Sequence, residues 1–273
     1  MITHNKSVKI PKIIMQTWKT STHPPQWQRS RDAINTYMSS WKYVLMTDDD
    51  NLAFVKQYFP DFLETFVNFP YPIQRADAIR YMWFYVHGGI YLDLDLEIIK
   101  ALDELFYEYA DMYVVKSIFM QSVYTNAFMA SQARNPIMIE CLRLMKMPLS
   151  ISTINTQHFI VINSTGPNMY TKAIENTKLL NSHLIIKELP QRKIINCDVC
   201  GVHNPYSRAK AMKGAYIHNL GGSSWAGNDS SILSLAYCKK ETVLVFFIII
   251  VFIIIVKSII VKSIKRRPRY KRK

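Results

Sequence analysis

Apolar and polar positions along this chain switch repeatedly between a strand-like and a helix-like period. In VKIPKIIMQTWK, apolar and β-branched residues follow Pro11 and predict a first strand over 12–16, then a loop over 17–25. Residues 26–40 carry Trp27, Ala33, Ile34 and Tyr37 at helical spacing. YVLMTD, residues 43–48, is a short apolar run ending in acids and predicts a second strand. Asp48 or Asp49 is then the expected N-cap of NLAFVKQYF, which Pro60 stops. A short helix, DFLETFVNF, is expected to end at Pro70.

The pattern strengthens from residue 72. PIQRADAIRYMWFYVHGG places Ala76, Ile79, Tyr81, Met82 and Trp83 on a buried helical surface, with Gly88-Gly89 as the stop. IYLDLDLEII then alternates, predicting one strand with Tyr91, Asp93 and Asp95 on one face and Leu92, Leu94 and Leu96 on the other. Further strands are expected within 112–131, and helices over 135–147 and 167–180. Strands alternating with helices indicate an α/β domain with a mainly parallel central sheet.

A different pattern closes the chain. Residues 243–256 are fourteen apolar positions without a break, too long for a strand. A helix from Val243 to Val261 would rise roughly 28 Å, about the thickness of a hydrocarbon core. The expected organisation is therefore a domain over 1–238, a transmembrane helix over 242–261 and a basic tail over 262–273. The first twenty residues contain no apolar run of leader type, so a single-pass C-terminal anchor is expected. The basic tail favours the cytoplasmic side, which would place the domain in a lumen of the endoplasmic reticulum or Golgi type. Reaching that lumen ahead of the only anchor is difficult, so topology stays open. Sequons at Asn5, Asn163 and Asn228 would matter only in a lumen.

Composition adjusts the picture in three places. The net charge of +14 in 273 residues suggests nucleic-acid binding. Nine of the 34 basic residues lie from Lys257 onward, and the remaining 25 face 20 acids, so most of the excess is a tail and no specific nucleic-acid partner is expected. An apolar content of 49% excludes a disordered chain. Four cysteines exclude a disulfide-dense scaffold. Cys197 and Cys200 form a CxxC near His203, but no second pair supports zinc, and a structural turn is the plainer reading.

The sharpest chemistry is Asp93-Leu94-Asp95. Two hard carboxylates at this spacing suit manganese or magnesium, which bridge to phosphate oxygens. Asp77 and Arg80, three apart on a strongly apolar helix, need a buried or site-facing partner. The stretch ADAIRYMWFYVHGGIYLDLDLEI resembles the sugar-nucleotide-binding region of glycosyltransferase family 32. That family includes inositol phosphoceramide mannosyltransferases, yeast-type α-1,6-mannosyltransferases and α-1,4-galactosyl- or N-acetylglucosaminyltransferases. IPKIIMQTWK, NAFMASQARNPIM, STGPNMYTKAI and IHNLGGSSWAG resemble four further family segments in the same order, spanning Ile10 to Gly227. Met15 stands where the family usually has His, and Ala101 where Pro is frequent.

The resemblance implies a GT-A-type, Rossmann-like nucleotide-sugar-binding domain and sugar transfer with retention of configuration. Asp93 and Asp95 would organise the metal and diphosphate, with His218 completing the metal shell. Asp77 and Arg80 would hold the donor sugar and diphosphate. Trp18 would stack on the base and Asn126 would face the sugar. Gly166 and Pro167 would shape the acceptor side, and Ser224 and Trp225 would close over the diphosphate. GDP-mannose is the favoured donor, with a UDP-hexose as the other choice. The acceptor would be a hydroxyl of a membrane glycolipid or glycan. The competing expectation is a non-catalytic, membrane-anchored protein with a degenerate domain whose basic tail binds lipid or nucleic acid.

Overall fold

The computed structural model describes residues 10–117, 120, 122–149, 156–196, 214–222 and 227–239, together with 242, 244–245, 248–251 and 253–257. Contacts divide the chain into a unit over Met1–Asp229 and another over Ser230–Lys273. The first holds β1 (Ile13–Thr17), α1 (Gln28–Tyr37), β2 (Lys42–Met46), α2 (Asp48–Tyr58), α3 (Leu63–Val67), α4 (Pro72–His87), β3 (Gly89–Leu92) and β4 (Leu96–Ile98). It continues through β5 (Met112–Val115), β6 (Phe128–Ser131), α5 (Pro136–Met145), α6 (Gln157–Ser164), α7 (Pro167–Leu180), β7 (Ile186–Leu189), α8 (Gln191–Ile194), β8 (Ile195–Asn196) and β9 (Ile217–Asn219).

Six strands form one sheet in the order β2-β1-β3-β6-β5-β7. β6 runs antiparallel to both its neighbours, and the other pairings are parallel. This is the mainly parallel α/β sheet that the alternation predicts. Successive residues on one strand enter opposite cores: Ile14, Ile90 and Leu92 pack with α1 on one face, while Met15 and Tyr91 pack with α2 to α5 and α7 on the other. Met15 is fully buried there.

Local chemistry explains the element ends. Thr47, not Asp48 or Asp49, caps α2: its hydroxyl accepts from the Asp50 N–H at 3.1 Å, and Asp50 accepts from the Thr47 N–H at 2.9 Å. Pro72 starts α4 at its first position. Gly88 (φ +66°) and Gly89 (φ +101°) end it, and a Cβ on Gly89 would lie 2.4 Å from the Ile13 carbonyl oxygen. Only glycine lets β3 leave α4 this close to β1.

Two sequence expectations change here. The alternating run 90–99 is not one strand. β3 ends at Leu92, and β4 belongs to a second, three-stranded sheet of order β4-β9-β8. The sequon at Asn163 lies inside α6. Its amide donates to the Phe159 carbonyl at 2.8 Å and accepts from Asn168 at 2.9 Å, and Thr165 is fully buried, so both ends of the sequon are engaged in the fold. Asn228 begins α9 (Asn228–Cys238), while Asn5, Cys197, Cys200 and His203 lie outside the described residues.

Ser230–Lys273 includes most of α9, where Ile232, Leu233 and Leu235 are exposed. Residues 242, 244–245, 248–251 and 253–257 are helical, with Ile248 to Ile250 and Ile253 to Ile255 exposed. Among the described residues, no helix is long and apolar enough to cross a membrane. The remainder of the expected span over 242–261 lies outside them.

Candidate active site

Three parallel strands bring the site together. Thr17 of β1 stands beside Met46 of β2, and Met15 beside Tyr91 of β3, so all three strands finish at one edge of the sheet. That carboxyl edge is where open α/β sheets bind ligands, because the chain there turns away and leaves a crevice. Trp18 follows β1, and its N–H donates to the Met46 carbonyl at 3.0 Å. Asp93 follows β3, with its N–H donating to the Ala127 carbonyl at 2.9 Å.

The chain then turns sharply. The Leu96 N–H donates to the Asp93 carbonyl at 3.0 Å, closing a turn over Asp93–Leu96 that carries both carboxylates. Beyond it, β4 pairs with β9 in the register Leu96 to Asn219, and the Leu220 N–H donates to the Asp95 carbonyl at 2.7 Å. Had β3 continued straight, Asp95 would have run on along the main sheet. The turn holds it at the edge between two sheets.

α4 supplies the cation. Arg80 is 3% exposed, and Asp77, one turn earlier, is 4% exposed. Arg80 Nη2 lies 3.1 Å from Asp77 Oδ1, and Nη1 lies 3.3 Å from Asp93 Oδ1. Nη1 also donates to the Asn126 carbonyl at 2.7 Å, and Nε to the Ala76 carbonyl at 3.1 Å. The guanidinium sits 4.3 Å from the Tyr91 ring centroid, and the Tyr91 hydroxyl donates to Asp93 Oδ1 at 2.6 Å. Burial by itself would lower the Arg80 pKa, but Tyr91, Asp93 and Asp77 more than reverse this and keep it charged.

The three acids are in different states of satisfaction. Burial pushes Asp77 up, opposed by Arg80, by the Thr165 hydroxyl at 2.8 Å from Oδ2, and by the Asn126 amide at 3.0 Å from Oδ1. Donors on both oxygens fit an ionised carboxylate. Burial also raises Asp93, against Arg80 and the Tyr91 hydroxyl. Asp95 is pushed up to about 7, first by burial and then by the charge of Asp93. Gly222 presses against it: a Cβ there would fall 2.5 Å from Asp95 Oδ2. The turn thus concentrates more negative charge than Arg80 balances, and it does so with hard oxygen donors. That chemistry fits a divalent cation held by Asp93 and Asp95.

The other expected residues divide. Trp18 is half-buried, edge-on to Trp27 at 5.2 Å, with the Lys19 ammonium 5.7 Å from its ring. Asn126 turns its amide N–H groups inward, to Asp77 and to the Tyr81 hydroxyl at 3.0 Å. Gly166 and Pro167 begin α7, and a Cβ on Gly166 would meet the Ile162 Cα at 2.9 Å, so they allow α6 and α7 to approach. Their neighbour Thr165 reaches the site and binds two side chains of α4: its hydroxyl donates to Asp77, and its carbonyl accepts from the Tyr81 hydroxyl at 2.8 Å. His218 pairs with Glu97 across β4 and β9, with Nδ1 3.5 Å from Glu97 Oε2. Arg29 clamps Glu97 at 2.7 and 2.8 Å. Among the described residues no three or more His, Cys, Asp or Glu gather closely enough to hold a metal. Ser224 and Trp225 lie outside the described residues.

Tyr91, Thr165, Tyr81 and Gly222 were given no site role from the sequence, although Tyr91 shares the alternation with Asp93, Tyr81 lies on the expected buried helical surface, and Thr165 and Gly222 fall within STGPNMYTKAI and IHNLGGSSWAG.

Residues 24–129 match the profile of the glycosyltransferase sugar-binding region containing DXD motif. Mannosyl phosphorylinositol ceramide synthase SUR1 of Saccharomyces cerevisiae is 36% identical over 158 residues, covering 58% of this chain and 40% of that protein. Inositol phosphoceramide mannosyltransferase 3 of Schizosaccharomyces pombe is 34% identical, covering 60% and 44%. The chain therefore spans less than half the length of these two relatives. Uncharacterized glycosyltransferase L373 of Acanthamoeba polyphaga mimivirus is 26% identical, covering 88% and 92%. Among solved structures, PaToxG glycosyltransferase overlaps 64% of this chain and 71% of its own, at 17% identity and a TM-score of 0.45. The matched residues enclose α4, the Asp93–Leu96 turn and Asn126, so the part of the chain that builds this site is similar to the glycosyltransferase sugar-binding region containing DXD motif.

Proposed function

We propose that this chain is a metal-dependent, retaining hexosyltransferase that moves mannose from GDP-mannose to a hydroxyl of a membrane glycolipid. The observation that carries the reading is Arg80, permanently charged between Asp77 and Asp93 beside the turn bearing Asp95. A single fixed cation among three acids suits a diphosphate only when a second cation shares the turn. Asp93 and Asp95 would hold manganese or magnesium, which supplies charge neutralisation for the departing diphosphate.

The chain's own groups do the rest. Arg80 gives the leaving group a positive charge that does not titrate, already oriented before the donor binds. Asp77 aims it, itself fixed by Thr165 and Asn126. Trp18 offers an aromatic face for the base at the same edge. The acids nearest the site are committed to Arg80 or to the cation pair, so no side chain is assigned as a covalent nucleophile. Attack on the same face, with the diphosphate helping to take the acceptor proton, fits that arrangement.

The names of the yeast relatives support mannose as the sugar and inositol phosphoceramide as the acceptor. The exposed isoleucines over 248–255 and the basic tail support attachment to an endomembrane, where a lipid acceptor has a high effective concentration. The test is release of GDP or UDP from a panel of sugar nucleotides by the full chain with manganese, beside Asp95→Ala. Turnover of GDP-mannose, lost in the variant and stimulated by inositol phosphoceramide, is expected. A folded chain that neither binds nor turns over any donor refutes the transferase reading.

A further inference from the structure

Gln16 is completely buried at the carboxyl end of β1, a polar side chain between two apolar cores. Its surroundings account for every part of its amide. Nε2 lies 3.3 Å from the Leu92 carbonyl oxygen, 3.4 Å from that of Asp93 and 3.3 Å from the Ser30 hydroxyl. Oε1 accepts from the Tyr43 hydroxyl at 3.0 Å. Ser30, also fully buried, donates to the Leu96 carbonyl at 2.7 Å. The backbone ladder between β1 and β3 covers Ile14 to Ile90 and Met15 to Tyr91 and goes no further. At the next position the side chain of Gln16 takes over, reaching the carbonyls where β3 becomes the turn.

We infer that Gln16 is a positioning residue for the turn bearing Asp93 and Asp95, assisted by Ser30 and oriented by Tyr43. The orientation follows from the donors. Reversing the amide would set Oε1 against two carbonyl oxygens and against the Ser30 hydroxyl, whose proton already goes to the Leu96 carbonyl. Tyr43 is anchored in turn by His23 Nε2 at 2.8 Å, on the loop that follows Trp18. Gln16 and Ser30 together engage carbonyls at both ends of the turn, those of Leu92 and Asp93 where it begins and that of Leu96 where it ends. The carboxylates are thereby held by groups that touch neither substrate nor metal. The link to metal and diphosphate rests on the transferase reading, while the link to the turn does not.

The experiment separates the two. Gln16→Met keeps the volume and removes both donor and acceptor; Tyr43→Phe keeps the ring and removes only the orienting hydroxyl. Hydrogen exchange on the full chain reads the Leu96 amide, which closes the turn, and manganese titration reads affinity. Gln16→Met should speed exchange at Leu96 and weaken manganese binding about 10- to 100-fold, as the loss of outer-shell partners generally does. Tyr43→Phe should do both to a smaller degree, and it carries the test if Gln16→Met fails to fold. Ile34→Ala, a core change on the same side of the sheet, controls for lost stability. Unchanged exchange at Leu96 in folded variants overturns the inference, as does the same response from Ile34→Ala. Faster exchange at Leu96 in a protein whose wild type binds no manganese supports the positioning role and overturns the transferase reading instead.

Discussion

Replacing Asp95 with Asn should make the metal-free protein more stable while depriving it of metal. The Asp95 carboxyl is pushed from 3.8 to about 7 by burial and by Asp93. At about 1.4 kcal/mol per pH unit, that difference sets a ceiling of about 4 kcal/mol. Asp95 is only half-buried, and solvent screening brings the expected effect to about 1–2 kcal/mol. The folded pKa lies above the unfolded one. The stabilising contribution is therefore complete below about pH 4 and is lost as pH rises through about 7. Urea unfolding in a chelator should show wild-type stability falling across that window. The Asp95→Asn curve should be flatter and should lie about 1–2 kcal/mol higher at pH 8. Millimolar manganese should reverse the order, because only the native wild-type site gains by mass action. An Asn variant no more stable than wild type at pH 8 without metal would refute the claim that burial and the charge of Asp93 disfavour an ionised Asp95 in the folded state.

Arg80→Met leaves Asp77 buried without its countercharge and should cost about 3–5 kcal/mol in urea unfolding, with transfer abolished; a loss below about 1 kcal/mol would mean the pair is solvated. Thr165→Val removes a hydroxyl donor from Asp77 and should cost about 1–3 kcal/mol, lowering kcat because Arg80 is then less firmly aimed. Trp18→Ala should raise KM for the sugar nucleotide with little change in kcat, since a stacked base is worth about 1–3 kcal/mol; an unchanged KM would assign Trp18 to packing against Trp27 alone. Deleting 242–273 should abolish co-sedimentation with anionic vesicles, and full retention on vesicles would refute the anchoring role.

Much of the scaffold was legible because its signals are local. Pro72 and the Gly88-Gly89 pair bracket α4, and the apolar run between them has no other stable arrangement than a buried helix. Asp77 and Arg80 could be paired from their spacing alone, since residues three apart on a helix are neighbours. The alternation over 90–99 was legible as extended chain but not as two strands. A run of alternating residues reads the same whether it stays in one ladder or passes through a turn into another. Only β6 and β9, which pair on either side of Asp93–Leu96, separate the two cases.

The assembly of the site depended on residues far apart in the chain. Thr165 reaches Asp77 across 88 positions, and Gln16 reaches the Asp93 carbonyl across 77. Nothing around Thr165 or Gln16 announces these contacts, because a buried polar side chain is recognised by its partners and not by its neighbours in sequence. Asn126 illustrates the same point in reverse: the family resemblance implied a sugar contact, and packing turned its amide N–H groups toward Asp77 and Tyr81. The sequence carried the kinds of groups present, with two carboxylates, a guanidinium and an aromatic ring near them. Which of those groups face each other, and which face a ligand, followed from how two sheets meet at the end of β3, where hydrogen-bond geometry leaves one arrangement for the turn.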